Sequence, residues 1–195
     1  MSYPLTLRFK ILAVARQLSV RDSDQRLLMY VKQKAFKLKE AITVYEDEEQ
    51  TRPLYRIAAD RVIDFSATYN ISDAAGEYVG AIRQKGMKSL WRSTYEIVRG
   101  DKLVFTVREE NPWAKVGNSL FEGIPVIGAL SGYVFHPSFL ISTRDGAAAL
   151  RARKEAAFLE SVFSVQRLAT RLTPEDERLL LIGMVTTVLL ERRRG

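Results

Sequence analysis

The most constraining feature of the sequence is an apolar segment near its C-terminal end, Leu179–Leu190, with charged residues on both sides. As a helix this segment would rise about 18 Å, well short of the roughly 30 Å hydrocarbon core of a bilayer. It has no polar stripe, so such a helix has to be surrounded by protein on every side. We therefore predict a buried core helix over about residues 174–192, and no transmembrane span.

The start of this helix is marked by several local signals. Thr173 can serve as N-cap, Pro174 occupies the first helical position, and Asp176 completes a capping-box pattern. The first turn is acidic, and three arginines follow the apolar run. Both features stabilise a helix, because they place charges of the favourable sign at the two ends of its dipole.

Most of residues 5–110 shows the pattern of short strands punctuated by turns every eight to twelve residues, which is typical of an all-β barrel or sandwich. Turn-forming or charged clusters separate the strands, as in Asp73–Gly76 and Arg99–Asp101. The predicted strands are Thr6–Leu12, Gln17–Arg21, Leu27–Lys34, Ala41–Glu46, Leu54–Ala59, Ala67–Ser72, Tyr78–Arg83, Tyr95–Val98 and Leu103–Glu109.

The second half of the chain is less uniform. A short helical segment is predicted near residues 113–121, and Phe139–Thr143 returns to strand. Residues 147–158 are ambiguous, because their alanine-rich composition favours helix while Leu150 and Ala152 alternate with arginines as in a strand. The glycine-rich segment 117–137 is predicted to be a buried connection, and contact of this segment with a membrane stays open. We expect residues 1–195 to form a single domain.

Composition excludes several classes of function. The chain has no cysteine and one histidine, His136, which rules out disulfide frameworks, thiol catalysis and Cys/His zinc sites. The run Glu46–Glu49 lacks the alternating spacing of a metal-binding loop, and no Walker-type phosphate loop occurs. We predict no catalytic residue, no metal ion and no cofactor.

The net charge of +7 favours anionic partners. One candidate anion-binding or lipid-binding cluster is Lys32, Lys34, Lys37 and Lys39. Lys32 and Lys34 share one strand face, and all four align only if a bulge falls at Ala35–Phe36. The alternative is a solvated face whose lysines protect a sheet edge.

A second candidate cluster surrounds a segment with an aromatic residue. It consists of Arg83, Lys85, Lys88, Trp91 and Arg92. A ring beside cations suits the headgroup region of a membrane, and it also suits stacking on nucleic-acid bases. The alternative is that Trp91 belongs to the ordinary core.

The order of elements, many strands and then one apolar helix, resembles the tubby C-terminal-like superfamily, which includes LURP-one-related proteins and phospholipid scramblases. The resemblance rests on Leu27–Tyr45, Tyr55–Asp60, Tyr69–Asp73 and Gly80–Lys85 and suggests a bacterial-type member. It implies a mainly β fold, a closed antiparallel barrel threaded by the C-terminal helix, and it favours strand for residues 147–158. It also implies affinity for phosphoinositide headgroups. Neither a scramblase calcium-binding signature nor a separate membrane tail is found.

Together these features predict a non-enzymatic binding module, cytoplasmic and peripheral to the membrane, since no export signal is seen. Its expected partner is an anionic membrane surface or a protein. The alternatives are an enzyme or scramblase-like protein acting on a lipid-like substrate, and a nucleic-acid-binding protein, which is the less favoured. Ligand identity and oligomeric state stay open.

Overall fold

A computed structural model describes residues 1–12, 15–33, 41–60, 67–85, 94–110, 138–155, 157 and 160–194. These residues form twelve β-strands followed by one α-helix. The elements are β1 (Leu5–Leu12), β2 (Ala15–Arg21), β3 (Leu27–Gln33), β4 (Ile42–Tyr45), β5 (Pro53–Ala59), β6 (Thr68–Asp73), β7 (Tyr78–Lys85), β8 (Thr94–Arg99), β9 (Lys102–Glu110), β10 (Ser138–Thr143), β11 (Ala148–Glu155), β12 (Glu160–Arg167) and α1 (Pro174–Arg194).

The strands form a closed antiparallel barrel in which each strand pairs with the next along the chain. The first strand closes the barrel by pairing with the last, so that Leu7 of β1 lies opposite Phe163 of β12 and Val20 of β2. The prediction of a mainly β fold with a closed barrel is confirmed. All nine strands predicted before residue 110 are present, with ends that differ by one or two residues.

Residues 148–155 are a strand, so the alternation pattern prevails over local helix propensity. In β11 the side chains of Leu150 and Ala152 are fully buried, whereas Arg153, which follows Ala152, is exposed. An isolated helix would gain only tenths of a kcal/mol per alanine. Burying Leu150 on the barrel interior gains about 1.5–3 kcal/mol. Tertiary burial therefore decides the conformation here.

The C-terminal helix α1 runs through the barrel and forms the centre of the core. Its N-cap is Thr173, whose Oγ1 accepts a hydrogen bond from the Asp176 amide at 3.1 Å. The side chains from Leu179 to Leu189 are buried. The two threonines in this stretch satisfy their hydroxyls on the helix itself, since Thr186 donates to the Ile182 carbonyl at 2.8 Å and Thr187 to the Gly183 carbonyl at 2.9 Å. The predicted core helix is confirmed and extends to Arg194.

Close approach between helix and barrel depends on two glycines. A Cβ at Gly80 of β7 would lie 2.8 Å from Leu179 Cδ1 and 2.8 Å from the Val98 carbonyl oxygen. A Cβ at Gly183 of α1 would overlap Ile97 of β8. Real Cβ atoms do not approach this closely, so each glycine lets backbone and neighbouring side chain meet where any larger residue would force them apart.

The predicted helical segment 113–121 and the glycine-rich segment 117–137, which includes His136, lie outside the described residues.

Two buried aspartates organise turns at one end of the barrel. Asp22 is fully buried and accepts hydrogen bonds from the Arg26 amide at 3.0 Å and the Arg26 guanidinium at 2.9 Å. Burial would raise the pKa of Asp22, but these bonds outweigh it and hold the pKa below its usual value. Asp47 accepts amide bonds from Thr51 at 2.9 Å and Arg52 at 2.8 Å. The bond from Thr51 contributes most to lowering the pKa of Asp47.

We expect the stability of the protein to fall as the pH drops below about 4. A carboxyl whose pKa is lowered in the folded state contributes stability that is fully present above its unfolded pKa of about 3.9 and is lost as the pH falls through the folded value. Urea unfolding between pH 7 and pH 3 measures this loss. The double variant Asp22→Asn/Asp47→Asn should be less stable at pH 7 and should show a shallower decline toward pH 3.

Asp24→Asn is the matched control for this experiment. Asp24 lies in the same turn as Asp22 and is exposed, and its carboxylate accepts no hydrogen bond from a described residue. It should therefore keep the wild-type pH dependence. Parallel stability curves for the wild type and the Asp22/Asp47 variant would show that these carboxylates do not carry the pH dependence.

A paired substitution tests the contact between α1 and β8. Gly183→Ala should destabilise the fold, because overpacking costs about 1–3 kcal/mol and outweighs the roughly 1 kcal/mol gained in helix propensity. Ile97→Val deletes Cδ1, the atom that the new methyl group would overlap. That change alone should cost about 0.5–1.5 kcal/mol.

The double variant Gly183→Ala/Ile97→Val should be less destabilised than the sum of the two single variants, by about 1 kcal/mol. Chemical denaturation of the four proteins measures this coupling. Strict additivity would mean that the helix does not approach Ile97 as closely as the structure shows.

Candidate functional site

The interior of the barrel is occupied along the buried stretch of α1. Leu179, Leu180, Leu181 and Ile182 point to all sides of the helix, and each is at most 1% exposed. Barrel side chains therefore enclose the helix completely at this level. In the part of the chain that the structure describes, no three acidic or histidine side chains are placed to hold a metal ion. A candidate binding site has to be sought on the outside.

The two ends of the barrel differ in their connections. Because consecutive strands are antiparallel, all odd-numbered strands end on the same side. We call this side the loop end; it lies at Leu12, Gln33, Ala59, Lys85, Glu110 and Glu155. The opposite side, the turn end, carries the turns at residues 22–26, 46–52, 74–77, 100–101 and 144–147. The helix α1 starts at the turn end, since β12 ends there.

Three of the predicted anion-binding residues lie in described strands. Lys32 is exposed near the loop end of β3, and Arg83 and Lys85 lie on the outside of β7. Lys34, Lys37, Lys39, Lys88, Trp91 and Arg92 lie outside the described residues, as does the bulge predicted at Ala35–Phe36.

The two predicted clusters share one end of the barrel but are not neighbours. Lys32 and Lys85 both lie toward the loop end, and β4, β5 and β6 separate their strands. The β7 cations are paired: Lys85 Nζ lies 2.8 Å from Glu96 Oε1, and Arg83 Nη2 lies 3.9 Å from Asp101 Oδ1. Lys32 forms no ion pair with a described residue.

Strand pairing reveals further cations at the loop end that the sequence interpretation missed. Lys10 of β1 and Lys32 lie on either side of Gln17, with which both are in register. Two strand spacings place them about 10 Å apart. Arg108 of β9 and Arg153 of β11 are exposed at the same end and form no ion pair with a described residue. The sequence gives one signal for Lys10, Lys32, Arg108 and Arg153: each is a cation close to the C-terminal end of an odd-numbered strand.

The turn end is acidic. Acidic residues fill its turns and the first turn of α1: Asp22, Asp24, Glu46, Asp47, Glu48, Glu49, Glu77, Asp101, Asp145, Glu175, Asp176 and Glu177. Some pair with arginines of the strand ends, as in Arg99 Nη2 to Asp176 Oδ1 at 3.0 Å and Arg167 Nη1 to Glu177 Oε1 at 3.3 Å. The acidic first turn of α1 also lies at the positive end of the helix dipole.

The barrel is therefore electrostatically polarised along its axis. At the loop end Lys32, Arg108 and Arg153 form no ion pair with a described residue, although carboxylates such as Glu110 and Glu160 lie there too, whereas the carboxylates of the described turns lie at the turn end. The described helix is too short in its apolar part to cross a membrane, which agrees with the predicted absence of a transmembrane helix.

Comparison with known proteins supports the resemblance seen in the sequence. The family model described as LURP-one-related matches residues 27–188, from the start of β3 to near the end of the buried part of α1. No curated protein and no solved structure matches the chain. Since the family model covers far more than half of the chain, and the closed barrel with its core helix is present, this protein is a member of the LURP-one-related family of the tubby-like superfamily.

Proposed function

We propose that this LURP-one-related protein is a binding module that docks the loop end of its barrel onto an anionic phospholipid surface. The observation that carries the proposal is a group of exposed cations at the loop end, Lys32, Arg108 and Arg153, none of which forms an ion pair with a residue that the structure describes, opposite an acidic turn end. Lys85 adds positive charge on the same side of the barrel, although it is paired with Glu96, whereas the Arg83 guanidinium lies near Asp101 of the turn end.

The distances favour this orientation. A strand of eight residues tilted as in a barrel spans about 20 Å along the axis. The Debye length at physiological ionic strength is about 8 Å. When the loop end touches an anionic surface, its cations are attracted while the carboxylates of the turn end, more than two Debye lengths away, are screened. The opposite orientation would bring the carboxylates against the surface.

The filled interior argues against the enzyme alternative. A barrel enzyme needs a cavity for its substrate, and α1 occupies the axis of this barrel from Leu179 to Leu189. The surface chemistry also supports a protein partner or nucleic acid, because exposed arginines contact phosphate and carboxylate groups equally well. We favour lipid because the cations lie around one end of the barrel, as docking onto an extended flat surface requires.

Vesicle co-sedimentation tests the proposal. The protein should bind vesicles that contain phosphatidylserine and should not bind vesicles of phosphatidylcholine alone, and 0.5 M salt should release it. Lys32→Gln/Arg108→Gln should weaken binding about thirtyfold, because each cation near an anionic leaflet contributes about 1 kcal/mol.

The matched control is Arg56→Gln/Arg178→Gln, which removes the same charge from exposed positions away from the loop end. It should keep most of the affinity. Equal, negligible sedimentation with both vesicle types would reject the lipid proposal. Salt-sensitive retention on single-stranded DNA without vesicle binding would instead favour nucleic acid.

A further inference from the structure

A pocket of about 570 Å³ lies at the turn end, on the opposite side of the barrel from the proposed membrane surface. Its walls are the start of β9, the turn between β10 and β11, and the segment that leads from β12 into α1. This volume is within the range of about 300–1,000 Å³ found for small-molecule sites, but the pocket is a shallow depression that is largely open to solvent. No part of the proposed docking surface contributes to it.

The floor of the pocket is apolar. Phe105, which is 2% exposed, and Leu103 come from β9, and Leu172 closes the floor from the chain segment before the helix. Leu172 also packs against the main core, so its position is tied to that of the barrel. The pocket thus offers an ordered apolar surface against which the hydrocarbon part of a ligand can be shielded from water.

The rim of the pocket is cationic although the surrounding end of the barrel is acidic. Lys102, Arg144 and Arg171 are exposed there, and none of them forms an ion pair with a described residue. They lie on three different chain segments, so they surround the opening instead of following one strand.

Both carboxylates that line the pocket are already engaged. Asp145 accepts a hydrogen bond from the Thr143 hydroxyl, and Asp176 pairs with Arg99 at 3.0 Å. The charge of Asp176 is balanced by Arg99, whereas Asp145 keeps its negative charge, because its partner is a neutral hydroxyl, and offsets part of the charge of the three rim cations. The helix N-terminus contributes little, because Thr173 caps it and its first turn is acidic.

We propose that this pocket binds a small organic anion with an apolar body. The rim cations, above all Arg144 and Arg171, would hold a carboxylate or phosphate group through charge-assisted hydrogen bonds. The apolar body would lie against Leu103, Phe105 and Leu172. The pocket is a site for a single small molecule and is independent of the membrane-docking proposal.

Calorimetric titration of the full chain tests this inference. The probes are decanoate and decyl phosphate, with decan-1-ol and decyltrimethylammonium as uncharged and cationic controls, all below their micelle concentrations. At least one of the two anions should bind saturably with one molecule per chain, and both controls should bind at least about tenfold more weakly. A preference between the two anions identifies the head group.

Substitutions at the rim locate the site. Arg144→Ala/Arg171→Ala should weaken anion binding about tenfold or more, and Lys102→Ala should weaken it less. These side chains are exposed, so the variants should keep the wild-type melting temperature. Arg56→Gln, an exposed cation on β5 far from the pocket, should bind the anion as the wild type does.

The proposal is overturned if neither anion binds, if decan-1-ol binds as tightly as the anions, or if Arg144→Ala/Arg171→Ala leaves the affinity unchanged. None of these results depends on vesicle binding, so the pocket and the membrane surface can fail separately.

Discussion

A helix without a polar face is stable in water only when other parts of the chain enclose it, and this requirement governs the whole structure. The dependence runs in both directions. A barrel of eight strands is just narrow enough for its own side chains to fill, whereas this barrel has twelve. Without α1 its interior would be open and its inward apolar side chains would meet water. The small residues Gly80 and Gly183 set how closely the two parts approach.

The sequence predicted those parts of the fold whose signal is local. The core helix has caps and an apolar run, and most strands show alternation between turn residues. Residues 148–155 needed more than local signal, because the helix propensity of their alanines opposes the alternation of Leu150 and Ala152 with arginines. The resemblance to the tubby-like fold favoured a strand for these residues, and the structure confirms a strand. The sequence interpretation missed Arg108 and Arg153. They are far apart in the chain, and only the direction and order of the strands show that both lie at the same end of the barrel.

The filled core moves any binding activity to the outside of the barrel. There the two ends differ in chemistry: cations without a partner among the described residues lie toward the loop end, and carboxylates with a local cationic pocket lie at the turn end. The direction of α1 is consistent with this difference. The helix begins with acidic residues at the turn end, and its sequence ends with arginines toward the loop end. This order of charges suits the helix dipole, and it has the same direction as the charge difference between the two ends of the barrel.

The pairing of β1 with β12 also has a consequence for the order in which the protein can fold during synthesis. Ribosomes add about 5–20 residues per second. Strand β1 can pair with β12 only after the chain has been synthesised as far as Arg167. The core helix follows later still. Until then Leu5, Leu7 and Phe9 have no complete enclosure. The nascent chain therefore holds an unclosed sheet with a free edge and an exposed apolar face for many seconds, which makes this period the time of greatest risk of aggregation.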